Sequence, residues 1–222
     1  MLFTRLIPLL VIGGLLATTP APPWKDLPMR TRVKASPTAR LGDPINIAFE
    51  GTQAGILAAF QKIGWVEADP LSPKHDAHLA EAAVMHRLYP KAPVSRLFLF
   101  GRMEDFAVEH ELGSVSRRDH ARFWDAKRQD PQTHLELWLG DASRDVAIEV
   151  LRKKGIPAGT THRIDPNLDA ERSLIITDMR TAGLIADEVV EQGIVATTDG
   201  RNGSGDRFFT DGKVHVLVLA QP

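Results

Sequence analysis

Between Val94 and Leu151 the chain spells out one strand after another, and this constrains the fold more than any other feature. Val94–Phe100 (VSRLFLF) is a near-continuous apolar run between Pro93 and Gly101, which predicts a central strand. Phe106–Leu112 sets Phe106 and Val108 between charges and predicts its neighbour. His120–Trp124 (HARFW) and His134–Leu139 (HLELWL) continue the pattern, while Val146–Leu151 fits a strand or a helix. Strands joined by short loops predict a mostly antiparallel sheet.

The flanking segments add helices. Pro44–Glu50 alternates like a half-buried strand and stops at Gly51. Thr52 is placed to cap a helix running to Ile63, with Ile56, Leu57, Phe60 and Ile63 on one face. Trp65–Glu67 then returns as a strand. Ser72 is placed to cap a second helix over Pro73–Leu88, which carries His75, His78 and His86. Asn167–Thr181 predicts a third, with Ile175, Ile176 and Met179 inward and Gly183 as its stop. Leu184–Gln192 and Val214–Leu219 read as strands, and Thr197–Gly212, rich in Gly, Asp, Thr and Asn, as a long loop. The expected architecture is a single α+β domain over 41–222, with a mixed, largely antiparallel sheet and about three helices.

The N-terminus is of another kind. Arg5 is the only charge in the first 24 residues, and Leu6–Ala17 is an apolar run of 12. A membrane-spanning helix needs roughly 20, so the run is short for a permanent span and matches the core of a secretory signal peptide. Thr19 and Ala21 are small enough for a cleavage site, but Pro20, Pro22 and Pro23 crowd it, so an uncleaved anchor is the alternative. Residues 1–21 are therefore read as signal peptide or membrane anchor. Residues 22–40 are read as a Pro-rich, extended tether, whose Lys25, Arg30, Arg32, Lys34 and Arg40 are either solvated or in contact with anionic headgroups. The chain has no cysteine, which excludes disulfides, thiol catalysis, cysteine-bound zinc and iron–sulfur clusters. Lys and Arg total 27 against 28 Asp and Glu, so no basic excess points to a nucleic-acid partner.

Three clusters carry the chemistry. In His162–Arg172 (HRIDPNLDAER), Pro166 keeps Asp165 out of helical geometry, and a loop His and Asp three apart suit one shared metal or proton. Asp169 and Glu171 fall in the first helical turn, where acids favour the dipole, with Arg172 as their partner. In Asp199–Gly212, close glycines allow backbone N–H groups to approach an anion, Arg201 adds charge, and Asp206 and Asp211 are hard oxygen ligands. A turn-rich hairpin using Gly and Asp for backbone geometry is the simpler reading. On the sheet, Arg102 and Asp105 follow the apolar strand, and His120, Arg122 and Trp124 share a face by period two, as an anion or sugar-like pocket or as a solvated face. Arg117 and Arg118 are read as solvated. The chain has no G-x-S-x-G elbow and no H-E-x-x-H helix. The candidate polar site is thus Arg102, His120, Arg122, His162, Asp165, Arg201, Asp206 and Asp211, with His162, Asp165 and Asp206 as candidate ligands of a divalent metal.

The order GDPINIAFEG (42–51), GWVEADPLS (64–72), PVSRLFLFGRMEDFAVE (93–109), HARFW (120–124), LWLGDASRD (137–145), THRIDPNLDAER (161–172) and GRNGSGDRFFTDG (200–212) resembles the LssY-like C-terminal domain family. The resemblance covers residues 41–219. It implies a bacterial envelope setting, on the periplasmic side, beside membrane segments and in some members beside lipid-phosphatase-like membrane domains. The P-S-G-H core of those phosphatases is absent here, so the resemblance supplies no catalytic assignment. Two functions are expected in parallel. One is an exported or anchored binding or interaction module for an envelope component or membrane protein. The other is a metal-assisted hydrolase of a phosphorylated envelope substrate, with His162 and Asp165 on the metal, Asp206 or Asp211 completing it, and Arg102 and Arg201 neutralising phosphate. The hydrolase requires the His162 segment and the 199–212 segment to converge in one pocket.

Overall fold

The structure is a computed structural model and describes residues 23–69, 94–114, 117–153, 156–192 and 194–220. The main sheet has eight strands. Seven run in the order β11 (Ile185–Glu191), β14 (Val214–Leu219), β3 (Ile47–Glu50), β9 (Glu136–Lys153), β8 (Arg117–Gln129), β7 (Phe106–Ser114), β4 (Val66–Glu67). β10 (Ile156–Ile164) pairs with the far half of β9. All of these pairs are antiparallel except β14 with β3.

β9 is long enough to hold two successive partners on one edge, β3 at Leu137–Gly140 and β10 at Asp145–Lys153. The gap between them is bridged by the buried Asn46, whose side-chain amide accepts from the Ala142 N–H and donates to the Ala142 carbonyl, both at 2.9 Å. An isolated buried amide would be costly; here it completes the ladder as a missing strand residue would.

Among the described residues, two helices cover one face of this sheet. Thr52 caps α1 (Gln53–Lys62) by accepting from the Gly55 N–H, as the sequence predicts. α2 spans Leu168–Thr181, and Gly183, at φ +68°, ends it in the left-handed conformation that glycine adopts without penalty. Ile56, Phe60, Ile175, Ile176 and Met179 from these helices meet Phe49, Phe106, Phe123, Trp138 and Leu217 from the strands. Phe49, Phe60 and Phe123 stack mutually edge-on or tilted, with ring centroids 5.5–5.7 Å apart. Gly140 is what lets the rings fit: a Cβ there would lie 2.4 Å from Phe123.

The opposite face carries a second layer. A four-stranded sheet, in the order β2 (Leu41–Pro44), β1 (Arg30–Arg32), β5 (Phe98–Leu99), β6 (Arg102–Met103), packs over Ile45, Trp124, Leu137, Leu139 and Val216. Beside it lies a hairpin of β12 (Asp199–Arg201) and β13 (Arg207–Phe209).

Several expectations are corrected. The protein is rich in sheet, 46% strand against 15% helix, and the described residues form two helices, not about three. The helix predicted over Pro73–Leu88, with its three histidines, lies outside the described residues. Val94–Phe100 does not form a central strand; only Phe98–Leu99 is extended, and it belongs to the small sheet. A short apolar run reads alike in either layer, because both bury it. Val146–Leu151 is strand, as part of β9. Within the predicted tether, Arg30–Arg32 is a strand and Trp24, Leu27, Met29 and Val33 pack on the second core, so the folded body begins well before residue 41. Within Thr197–Gly212, Asp199–Arg201 and Arg207–Phe209 pair as a hairpin, the simpler of the two readings of that segment. No helix among the described residues is long and apolar enough to cross a membrane.

Candidate functional site

Between the main sheet and the second layer lies a chamber of about 30 Å³. Its floor is His120, Arg122 and Asp145, set there by strand periodicity. Arg118, His120 and Arg122 alternate on β8, and Asp145, Ser143 and Asp141 stand opposite them on β9 in register. Its walls are Asp43 of β2, Ser95, and His162 of β10. Its roof is the hairpin turn Asn202–Ser204. The roof sits close: a Cβ on Gly203 would lie 1.9 Å from Val33, so only glycine fits there.

His162 and the glycine-rich segment, 40 residues apart in sequence, thus line one chamber. The join is made by Phe208, buried with Ile164 and Leu168, and by the Phe209 N–H, which donates to the Pro166 carbonyl at 2.7 Å. His162 stands at the end of a strand, not in the loop that the sequence predicts.

The charges form a closed network. Arg118, 1% exposed, donates to Glu109 Oε2 at 2.7 Å and to Asp145 Oδ2 at 3.0 Å. Arg122 donates to Asp141 Oδ1 at 2.9 Å and to the carbonyl and hydroxyl of Ser95. Asp145 Oδ2 also lies 2.8 Å from His162 Nδ1. The tautomer of His120 follows from its contacts. Nδ1 lies 2.7 Å from the Ser143 carbonyl, which can only accept, so Nδ1 carries the proton; Nε2 then accepts from Arg122 at 3.3 Å. Burial holds the His120 pKa well below its usual value, so the imidazole is neutral.

The acids diverge in their environments. Burial would push Asp145 up, but His120, His162 and Arg118 together overcome it and hold the carboxyl well below the usual range. Asp141 goes the other way: burial raises it to about 7 against the pull of Arg122, and the nearby Asp43 adds to the rise. Asp43 is itself raised by burial, although Arg122 and the Asn202 amide, donating at 3.1 Å, oppose this. A neutral imidazole, an ionised carboxylate and a carboxyl titrating near neutrality in one small space is the pattern found at functional sites and in buried structural networks alike.

The other predicted residues lie elsewhere. Asp206 borders the chamber, its carboxylate accepting from the Ile164 N–H at 3.4 Å. Asp165 does not join His162; its carboxylate accepts from the Asn167 N–H at 2.8 Å and its charge acts on Arg144, on the helical side of the sheet. Asp211 pairs in bidentate fashion with Arg172 at 3.0 and 3.1 Å, and Asp169 accepts from Thr210 and the Asp211 N–H. Arg201 donates to the Gly205 carbonyl within its own hairpin. Arg102, on β6 of the small sheet, pairs with Asp105 and donates to the Asp125 carbonyl of β8. His162, Asp165 and Asp206 therefore do not converge as a metal ligand set. No group of three or more His, Asp or Glu side chains among the described residues is arranged to hold a metal.

Arg118 is buried, not solvated, and Asp141 and Asp145 belong to the network unforeseen. A signal for them exists: D-x-S-x-D in 141–145 alternates in step with R-x-H-x-R in 118–122. Period two places each set on one face; it does not say that a second layer covers that face.

The fold and site define a sheet-rich domain with a charged interior, sandwiched between two helices and a small second sheet. The chain belongs to the LssY C-terminus family, whose model matches residues 24–214. No curated protein and no solved structure matches it.

Proposed function

We propose that the chain is a binding or interaction module of the bacterial envelope, exported or anchored through residues 1–21, with an envelope component or membrane protein as partner. The observation that carries this reading is the chamber's size with its charges paired. About 30 Å³ holds a single water, whereas small-molecule sites run to roughly 300–1,000 Å³. Arg118 is spent on Glu109 and Asp145, and Arg122 on Asp141 and Ser95. In this reading the network pins β10 and the 199–212 hairpin to the sheet, and the partner is met on the outer surface.

The second reading, a metal-assisted hydrolase of a phosphorylated envelope substrate, draws support from the meeting of His162 with the glycine-rich turn. Against it, Arg102 and Arg201 stand outside the chamber. Hydrolysis of p-nitrophenyl phosphate by the full chain with added Mg²⁺, Mn²⁺ or Zn²⁺ separates the two. No turnover that differs between the parent and His162→Asn is expected; turnover lost on that substitution would replace the module by the hydrolase. Fractionation of the producing cell, with sequencing of the mature N-terminus, tests the location. The chain is expected in the membrane or periplasmic fraction, and an uncleaved cytosolic product would defeat it.

A further inference from the structure

The small sheet has an outer face that the fold leaves uncovered. Register places Arg32 beside Leu41 and Phe98, and Phe98 beside Met103, so these four share one side. The other side carries Thr31, Gly42 and Leu99, all buried. On the outer side Leu41 is 40% and Met103 45% exposed. Phe100, 38% exposed, tips the β5–β6 turn at φ +54°, followed by Gly101 at +75°. A bulky residue with positive φ is strained, and this one is held out toward solvent.

Around this apolar strip stand cations. Arg30, Arg32, Lys34, Phe98 and Phe100 line a groove of about 230 Å³. Arg30 is committed to the Gly42 and Arg201 carbonyls, and Arg32 to the Ala39 carbonyl through one nitrogen. Lys34 and Arg40 are exposed and form no ion pair among the described residues. Two acids that follow β6 are engaged: Glu104 accepts from the Leu97 N–H, and Asp105 pairs with Arg102.

We propose that this face docks on a bilayer of anionic phospholipid. Arg32, Lys34 and Arg40 meet headgroup phosphates, while Leu41, Phe100 and Met103 enter the interfacial layer. Position supports a bilayer rather than another occupant. The strip begins at residue 30, nine residues past the end of the leader at residue 21, so a chain held by that leader keeps the face within reach of the membrane. Cations beside apolar tips match an anionic interface, and two weak attachments, one apolar and one basic, make a stable one. This inference rests on the envelope-module reading and adds its partner chemistry.

The test uses the full chain with vesicles of phosphatidylcholine alone or containing 30% phosphatidylglycerol. Parent and variants share residues 1–21, so that attachment cancels. Lys34→Gln with Arg40→Gln is expected to lower partition onto the anionic vesicles about 25-fold, near fivefold for each cation, with little change on the neutral ones. Both side chains are exposed and unpaired, so folding is retained. Because the chain has no cysteine, Met103→Cys and, as control, Ser173→Cys on α2 each give one labelling site. An environment-sensitive dye should shift to the blue on anionic vesicles at residue 103 and not at residue 173. Equal partition of parent and variant, or no shift at residue 103, overturns the docking face and leaves the envelope location to be judged by fractionation.

Discussion

Arg118→Met is expected to destabilise the protein by about 3–5 kcal/mol at neutral pH, read as a fall in the urea midpoint at unchanged slope. The guanidinium is 1% exposed and lies 2.7 Å from Glu109 and 3.0 Å from Asp145, which are 0% and 2% exposed. Methionine fills much the same volume, so the change removes charge with little loss of packing. Two carboxylates are then left in a dry interior. The variant's deficit should shrink as pH falls through the carboxylate range, because protonation removes the negative charge that the guanidinium balanced. Adding Glu109→Gln should recover part of the loss, because Asp145 retains His162 at 2.8 Å. A loss below about 1 kcal/mol would mean that water reaches the network, and with it the case for a dry, buried set of ion pairs would fail.

The second large effect has the opposite sign. On the helical face, Glu171 of α2 and Asp119 of β8 share one guanidinium: Arg144 lies 2.5 Å from Asp119 and 3.1 Å from Glu171. Both acids are buried, and Arg144 is about one-third exposed. Burial, then the hydrogen bond and charge of Asp119, push the Glu171 carboxyl up to about 9 against the pull of Arg144. Glu171 is therefore folded as an acid at neutral pH. The unfolded chain gives up that proton near 4.5, so stability from this group is complete below 4.5 and is lost as pH rises toward 9. By pH 7.5 the loss is about 4 kcal/mol. Glutamine has the shape of protonated glutamate and donates to Asp119 in the same way. Glu171→Gln should leave stability at pH 4 unchanged and raise it by roughly 2–4 kcal/mol at pH 7.5, in urea titrations across that range. Identical pH slopes for parent and variant would show that Glu171 is ionised in the folded protein. Glu171→Ala tests the same point from the other side: it forfeits the donor to Asp119 and should not gain as much.

Both predictions concern residues whose charge the sequence displays and whose burial it hides. The first helical turn explains Glu171 as an acid near a helix N-terminus, and Arg118 reads as one more exposed strand cation. Each is inside because another element covers it, α2 in one case and the small sheet with its hairpin in the other. Coverage depends on which layer a segment joins. Phe98–Leu99 shows the difficulty, since its apolar run fits a central strand and the small sheet equally well.

Local pattern determined much by itself. The Thr52 cap, the stop at Gly183, the bounds of β14 and the shared face of His120, Arg122 and Trp124 depend on interactions within a few residues, and the sequence states those directly. The strip of family motifs is equally a property of residue order. Tertiary structure alone decided that β9 would take β3 and β10 in turn, with Asn46 bridging between them. It alone brought His162 under the Asn202–Ser204 turn and sent Asp165 to the other side of the sheet. Those outcomes turn on contacts between segments tens of residues apart, whose free energies depend on shape and on what water is excluded, and neither is written in spacing or composition.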